Sequence, residues 1–157
     1  MLSPPKISPA TEKDCSAMTE VALTAKAFWG YSDEFMRGCE AVLTVTPRMI
    51  AEWESGVIER KGHIAGFYLA SFEPGEAELQ LLYVSPLHMV KGLGQALMNE
   101  AAQKAARLGY GHLRIEADPN ALGFYRRMGA KQVGWCRSEV EDARELPLMS
   151  LPLKPIR

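Results

Sequence analysis

Apolar residues recur at helical spacing through the first third of the chain. Cys15, Met18, Ala22, Ala25 and Trp29 share one face of a helix whose start carries the Thr11 to Asp14 capping spacing. After the break at Gly30, Ser32 stands at an N-cap position and Asp33 and Glu34 suit the dipole of a first turn. Phe35, Met36, Cys39, Val42 and Leu43 then form the second stripe. Thr46 and Pro47 open a third, short helix through Trp53. Lys6 to Ser8, ahead of all three, is expected as a short strand. From Gly56 the period changes to alternation. Gly56 to Arg60, a turn at Lys61 and Gly62, His63 to Phe72, a turn from Glu73 to Glu76, and Ala77 to Val84 predict three antiparallel strands. Gly92 to Leu108 is the strongest helical segment, with Leu93, Leu97, Ala101, Ala105 and Leu108 on one face and Gly109 and Gly111 at its end. Its alanines favour close approach to a sheet. His112 to Ala117 (strand), Ala121 to Met128 (helix closed by Gly129), Lys131 to Cys136 (strand) and Leu146 to Leu153 (strand) complete an α+β chain. Its sheet is mostly antiparallel, with helices on both sides.

Composition narrows what such a domain does. With 157 residues, 47% hydrophobic and 24% charged, the chain has the length and balance of one folded domain. Eighteen Lys and Arg against nineteen Asp and Glu give a formal charge of -1, so no bulk positive field draws nucleic acid or anionic lipid. Cys15, Cys39 and Cys136 are odd in number and widely spaced, as expected of reduced thiols, and His63, His88 and His112 share no metal-ligand spacing. Neither a membrane-length apolar run nor a signal-peptide core occurs, which reads as cytoplasmic. No disulfide, metal, nucleic acid or membrane is expected.

The local chemistry concentrates between Val84 and the long helix. A glycine-rich entry into a helix leaves several amide N–H groups unpaired, and Gly92 and Gly94 carry no side chain to keep a phosphate from them. The helix dipole adds about 0.3 to 1 kcal/mol to an anion there. Lys91 supplies a point charge beside the glycines. The sequence lacks the Gly-x4-Gly-Lys-Ser/Thr string of a P-loop, and Leu97 stands where a Rossmann fingerprint needs its third glycine.

These residues carry a family resemblance. The run Glu78 to Val84, then Ser85 and Pro86, then Met89 to Gly94 and the alanine-rich helix resembles the acetyl-CoA-binding core of the GNAT superfamily of N-acetyltransferases. Ala121 to Ala130, with Phe124 and Tyr125 ahead of Gly129, resembles that family's second motif. The resemblance implies the GNAT fold, with a splayed strand pair, over a single domain from 1 to 157. It implies that backbone groups near Leu82, Tyr83 and Val84 hold the pantetheine arm of acetyl-CoA. Amides of Met89, Val90, Lys91, Gly92, Leu93 and Gly94 would hold the pyrophosphate, and a strand bulge near Leu82 would offer an oxyanion donor. Tyr125 matches the acid that protonates the departing thiolate, and Glu78 a position where some members keep a general base.

Two positions depart from the family pattern. Met89 replaces the usual Gln or Arg of the loop, and Asp118 replaces a frequent Asn, with Asn120 close by as a substitute contact to the arm. The resemblance also places Phe28, Trp29, Tyr31 and Phe35 at the acceptor pocket, where an aromatic floor favours a hydrophobic or cationic amine. The expected activity is acetyl transfer from acetyl-CoA to a primary amine of a small molecule or peptide, by direct attack in a ternary complex. The alternative is an acyl-CoA-binding regulatory or partner-binding module with weak or no catalysis. Leu146 to Leu153 is apolar enough to pair two copies as a homodimer, or to find a partner within the chain.

Overall fold

The computed structural model describes residues 4–88, 92–141 and 144–155. Thr11 opens the first helix through a capping box, its amide donating to the Asp14 carboxylate at 2.8 Å. A single 3-10 turn, Glu12–Asp14, then leads into α1, Cys15–Phe28. Ser32 and Thr46 accept the amides of Phe35 and Met49 and so start α2, Asp33–Leu43, and α3, Pro47–Glu52. The strand expected at Lys6 to Ser8 is reduced to a bridge between Ser8 and Val57, because only that pair finds a partner on the sheet edge.

The sheet has six strands: β1, Glu54–Arg60; β2, His63–Glu73; β3, Glu76–Val84; β4, His112–Glu116; β5, Lys131–Arg137; and β6, Glu145–Pro152. Their order is β1-β2-β3-β4-β6-β5, and only β3 and β4 run parallel. Positive φ at both Lys61 (52°) and Gly62 (80°) gives the tight turn that closes the β1–β2 hairpin. β6 pairs with β4 on one side and β5 on the other, so the apolar last strand has both partners within the chain.

Two clusters bury the two faces of this sheet. Met18, Ala22, Phe35, Cys39 and Leu43 from α1 and α2 pack on Phe67 and Leu69. On the opposite face lie α4, Leu93–Arg107, and α5, Leu122–Arg127; Leu97, Met98, Ala101, Ala105 and Tyr125 pack there on Tyr68, Leu79, Leu113, Ile115 and Met149. Leu97 comes so near that a methyl group on Gly66 of β2 would stand 3.1 Å from its side chain, which is the close approach the alanines of α4 allow.

Candidate active site

The site begins with a change of register. Leu69 faces Leu81 and Ala70 faces Leu79, which leaves Gln80 as an extra residue in β3. The bulge therefore lies at Gln80, two residues before its expected place near Leu82. It also flips the side-chain alternation. Leu79 packs toward α4, and so do Leu82 and Val84, whereas Leu81 and Tyr83 pack toward α1 and α2.

Beyond the bulge β3 parts from β4. The parallel pairing covers Ala77 with Leu113, Glu78 with Arg114 and Leu79 with Ile115, and goes no further. The Ser85 amide donates to the Ala65 carbonyl at 2.7 Å in continuation of the β2–β3 register. In an antiparallel ladder alternate residues bond to the same neighbour, so Tyr83 also turns its backbone to β2. Leu82 and Val84 then present theirs to the gap. Below the gap is a cavity of about 490 Å³, lined among others by Lys26, Trp29, Glu78, Tyr83, Asp118 and Tyr125.

Tyr125 comes from α5 and is 7% exposed. No buried side-chain oxygen among the described residues lacks a partner, so the Tyr125 hydroxyl, which bonds to none of their side chains, opens onto the cavity it borders. Burial pushes its pKa up, and the nearby Asp118 charge pushes it further. The phenol thus holds its proton at neutral pH, while its ring packs in the core edge-on to Phe124. Tyr83, on the β3 side, is shifted upward by burial in the same way, with Tyr125 as a neighbour.

Glu78 is neither isolated nor fully solvated. Arg114, its register partner on β4, donates to its Oε1 at 2.7 Å and also to Glu116. Burial raises the Glu78 pKa, and this outweighs the hydrogen bond and charge of Arg114, which lower it. The raised pKa and the position on the cavity wall suit a proton acceptor.

Asp118 gathers the opposite wall. Its carboxylate accepts from Lys26 of α1 at 2.6 Å, from the Tyr31 hydroxyl at 2.8 Å and from the Asn120 amide at 2.8 Å, with the Arg144 guanidinium 3.5 Å away. Burial alone would raise its pKa; the bonds and charge from Lys26, aided by Asn120 and Tyr31, hold it below the ordinary aspartate range instead. Asn120 spends its side-chain amide on Tyr31 and Asp118 rather than facing the gap.

Of the four aromatics expected around the acceptor, Trp29 lines the cavity. Tyr31 and Phe35 stack at 4.3 Å behind it, and Phe28 points to solvent, 63% exposed. Sequence reasoning missed Lys26, Arg114 and Arg144. Lys26 is three residues before Trp29 on α1, a spacing that puts both on one side of the helix, and Arg114 is fixed only by the β3–β4 register. Nothing local marks Arg144.

Gly92 stands at the start of α4 with φ 100°, and a methyl group added to it would meet no atom of the described residues beyond its chain neighbours within 4 Å. The first bond within the helix is from Ala96 to the Gly92 carbonyl, so the amides of Leu93 and Gly94 have no helical acceptor. Space and free amides at Gly92 fit an anion. Gly94 serves packing, since its added methyl would stand 3.3 Å from the Phe124 ring of α5. Met89, Val90 and Lys91 lie outside the described residues.

A strand pair split at a bulge, with a helix N-terminus beyond one arm and a phenol bordering the cavity beneath, meets a matching sequence profile: that of the Acetyltransferase (GNAT) family, over residues 25–130. The chain belongs to the GNAT acetyltransferase family. Among relatives of this GNAT chain, streptothricin acetyltransferase of Streptomyces lavendulae is 38% identical over 73 residues, 43% of this chain and 39% of that protein. Mycothiol acetyltransferase of Clavibacter michiganensis subsp. michiganensis is 32% identical over 117 residues, covering 68% of this chain and 37% of that protein. The chain thus spans well under half the length of these curated relatives. In fold, the PaiA N-acetyltransferase of Thermoplasma acidophilum, solved with coenzyme A, superposes with a TM-score of 0.79 at 18% identity, over 94% of this chain and 98% of that one. Among the described residues no helix is long and apolar enough to cross a membrane, and no three His, Cys, Asp or Glu side chains gather as metal ligands.

Proposed function

We propose that this GNAT chain transfers the acetyl group of acetyl-CoA to a primary amine of a small molecule or peptide, by direct attack in a ternary complex. The observation that carries the reading is the placement of Tyr125 and Glu78 on one cavity, below the gap that β3 and β4 leave. The backbone of Leu82 and Val84, on the open edge of β3, suits an amide-bearing pantetheine arm. The free amides after Gly92 suit a pyrophosphate. The thioester supplies an activated acyl carbon.

An amine attacks only when neutral. Glu78, held by Arg114, takes the ammonium proton directly or through a water; the N–C bond forms, the C–S bond breaks, Tyr125 gives its proton to the thiolate, and the second proton lost from the nitrogen restores the Tyr125 phenol through solvent. Each proton-transfer group typically contributes about 10² to 10⁴ in rate. The names of the relatives, streptothricin and mycothiol acetyltransferase, support a small-molecule acceptor.

The test is release of CoA thiol from acetyl-CoA across a panel of primary amines. Turnover that depends on the amine supports the proposal. Binding of acetyl-CoA with no amine turned over would favour a CoA-binding module without catalysis.

A further inference from the structure

Three segments converge on Asp118 from across the cavity: the end of α1 through Lys26, the α1–α2 connection through Tyr31, and the chain entering β6 through Arg144. The Asp118 side chain is 7% exposed, and those of Lys26 and Arg144 are 12% and 17% exposed. One carboxylate therefore answers two cations on the same wall. Neither cation is free to swing into solvent. Lys26 lies 5.8 Å from the Trp29 ring centre and 5.5 Å from that of Tyr31, and Arg144 lies 5.0 Å from Tyr31 and 4.8 Å from Phe35. The rest of the charged lining is Glu78, Glu116 and Glu139, with Arg114 shared between the first two. A cavity of about 490 Å³ has a mean dimension comparable to one Debye length, about 8 Å at physiological salt, so a charge on its wall is felt well into it.

We propose that Asp118 determines which acceptors this site takes: by offsetting one of the two positive charges of Lys26 and Arg144 it favours amines that carry a second positive charge over those that carry a carboxylate. Removing the carboxylate moves the wall one full charge toward positive while stacking keeps both cations in place. The acceptor half of this inference rests on the acyl-transfer reading above; the field in the cavity does not.

The field is read first, with no acceptor involved. Ala121, half-buried on the cavity lining, bonds its amide to the Asp118 carbonyl, so Ala121→Cys places a thiol beside the cluster. Its rates of modification by anionic sulfonatoethyl and cationic trimethylammonioethyl methanethiosulfonate are followed by peptide mass spectrometry. Adding Asp118→Asn, which keeps an acceptor for the Asn120 amide, raises the anionic-to-cationic rate ratio by roughly tenfold. Adding Lys26→Met as well brings it back to within about twofold of the parent. Lys26→Met alone shifts the ratio the opposite way, and serves if Asp118→Asn does not fold. A ratio unmoved by these changes overturns the proposal.

The second readout is kcat/KM with acetyl-CoA for putrescine, butylamine and γ-aminobutyrate, chains of equal length whose far ends are cationic, neutral and anionic. Asp118→Asn lowers the putrescine-to-aminobutyrate ratio by roughly tenfold, with butylamine least affected. An unchanged ratio contradicts the role of Asp118. Failure of the unsubstituted protein to acetylate any amine contradicts the acyl-transfer reading instead.

Discussion

Glu78 and Arg114 face each other at the last stretch where β3 and β4 still pair, and that contact opposes the upward pull of burial on the Glu78 carboxyl. Because burial wins over Arg114 and lifts the Glu78 pKa, and because the ionised form is the proposed base, turnover is expected to rise as pH climbs through that lifted value. The acid limb of a kcat/KM profile is expected above the ordinary glutamate range of about 4.3. Arg114→Met, which removes the favourable charge, moves the limb higher, and Glu78→Gln abolishes it. Tyr125→Phe lowers kcat by about 10²-fold or more and leaves the acetyl-CoA Kd unchanged, since the hydroxyl acts only as the thiolate leaves. Asp118 acts on stability as well. Its folded pKa is depressed, so its contribution is complete above about pH 4 and is lost as pH falls through the lowered folded value. Urea denaturation across that window is expected to show a pH-dependent loss that Asp118→Asn lacks. Tyr125 and Glu78 were legible as residues because each stands in a motif. The Asp118 cluster was not, since Lys26, Tyr31 and Arg144 are separated from Asp118 by between 26 and 92 residues and meet only in the fold.

At the scale of elements, the bulge at Gln80 and the glycine at the start of α4 position everything else. Periodicity located β3 and α4 to within a residue or so, because alternation and the alanine stripe are local signals. It could not place the bulge, which is defined by what β2 pairs with, so the expected site near Leu82 was two residues off. The two loop glycines looked alike in sequence and differ in the structure. Gly92 needs its left-handed backbone and meets no side chain of the described residues, whereas Gly94 makes room for Phe124. Gly92→Ala is therefore expected to cost about 1 to 2 kcal/mol in urea unfolding, from backbone conformation alone. Gly92→Val additionally weakens acetyl-CoA binding. A folded Gly92→Val variant with unaltered affinity would remove the phosphate role of that position.

For the molecule as a whole, helices on both faces of a mostly antiparallel sheet were legible from composition and period, and the short parallel β3–β4 pair is what opens a gap in that sheet. A parallel neighbour that shares three residues and then diverges leaves an edge of unpaired backbone inside the protein rather than at its rim. That edge calls for a ligand rich in amides. The placement of β6 between β4 and β5 was beyond sequence reasoning, since an apolar strand reads the same whether its partner is in its own chain or another. The most direct test is a calorimetric titration of the protein with acetyl-CoA, with ATP and NAD as controls. Saturable binding of one acetyl-CoA per chain is expected, with much weaker binding of ATP and no binding of NAD. No heat from acetyl-CoA with a folded protein, or equal binding of all three, would contradict the proposed acetyl-CoA site.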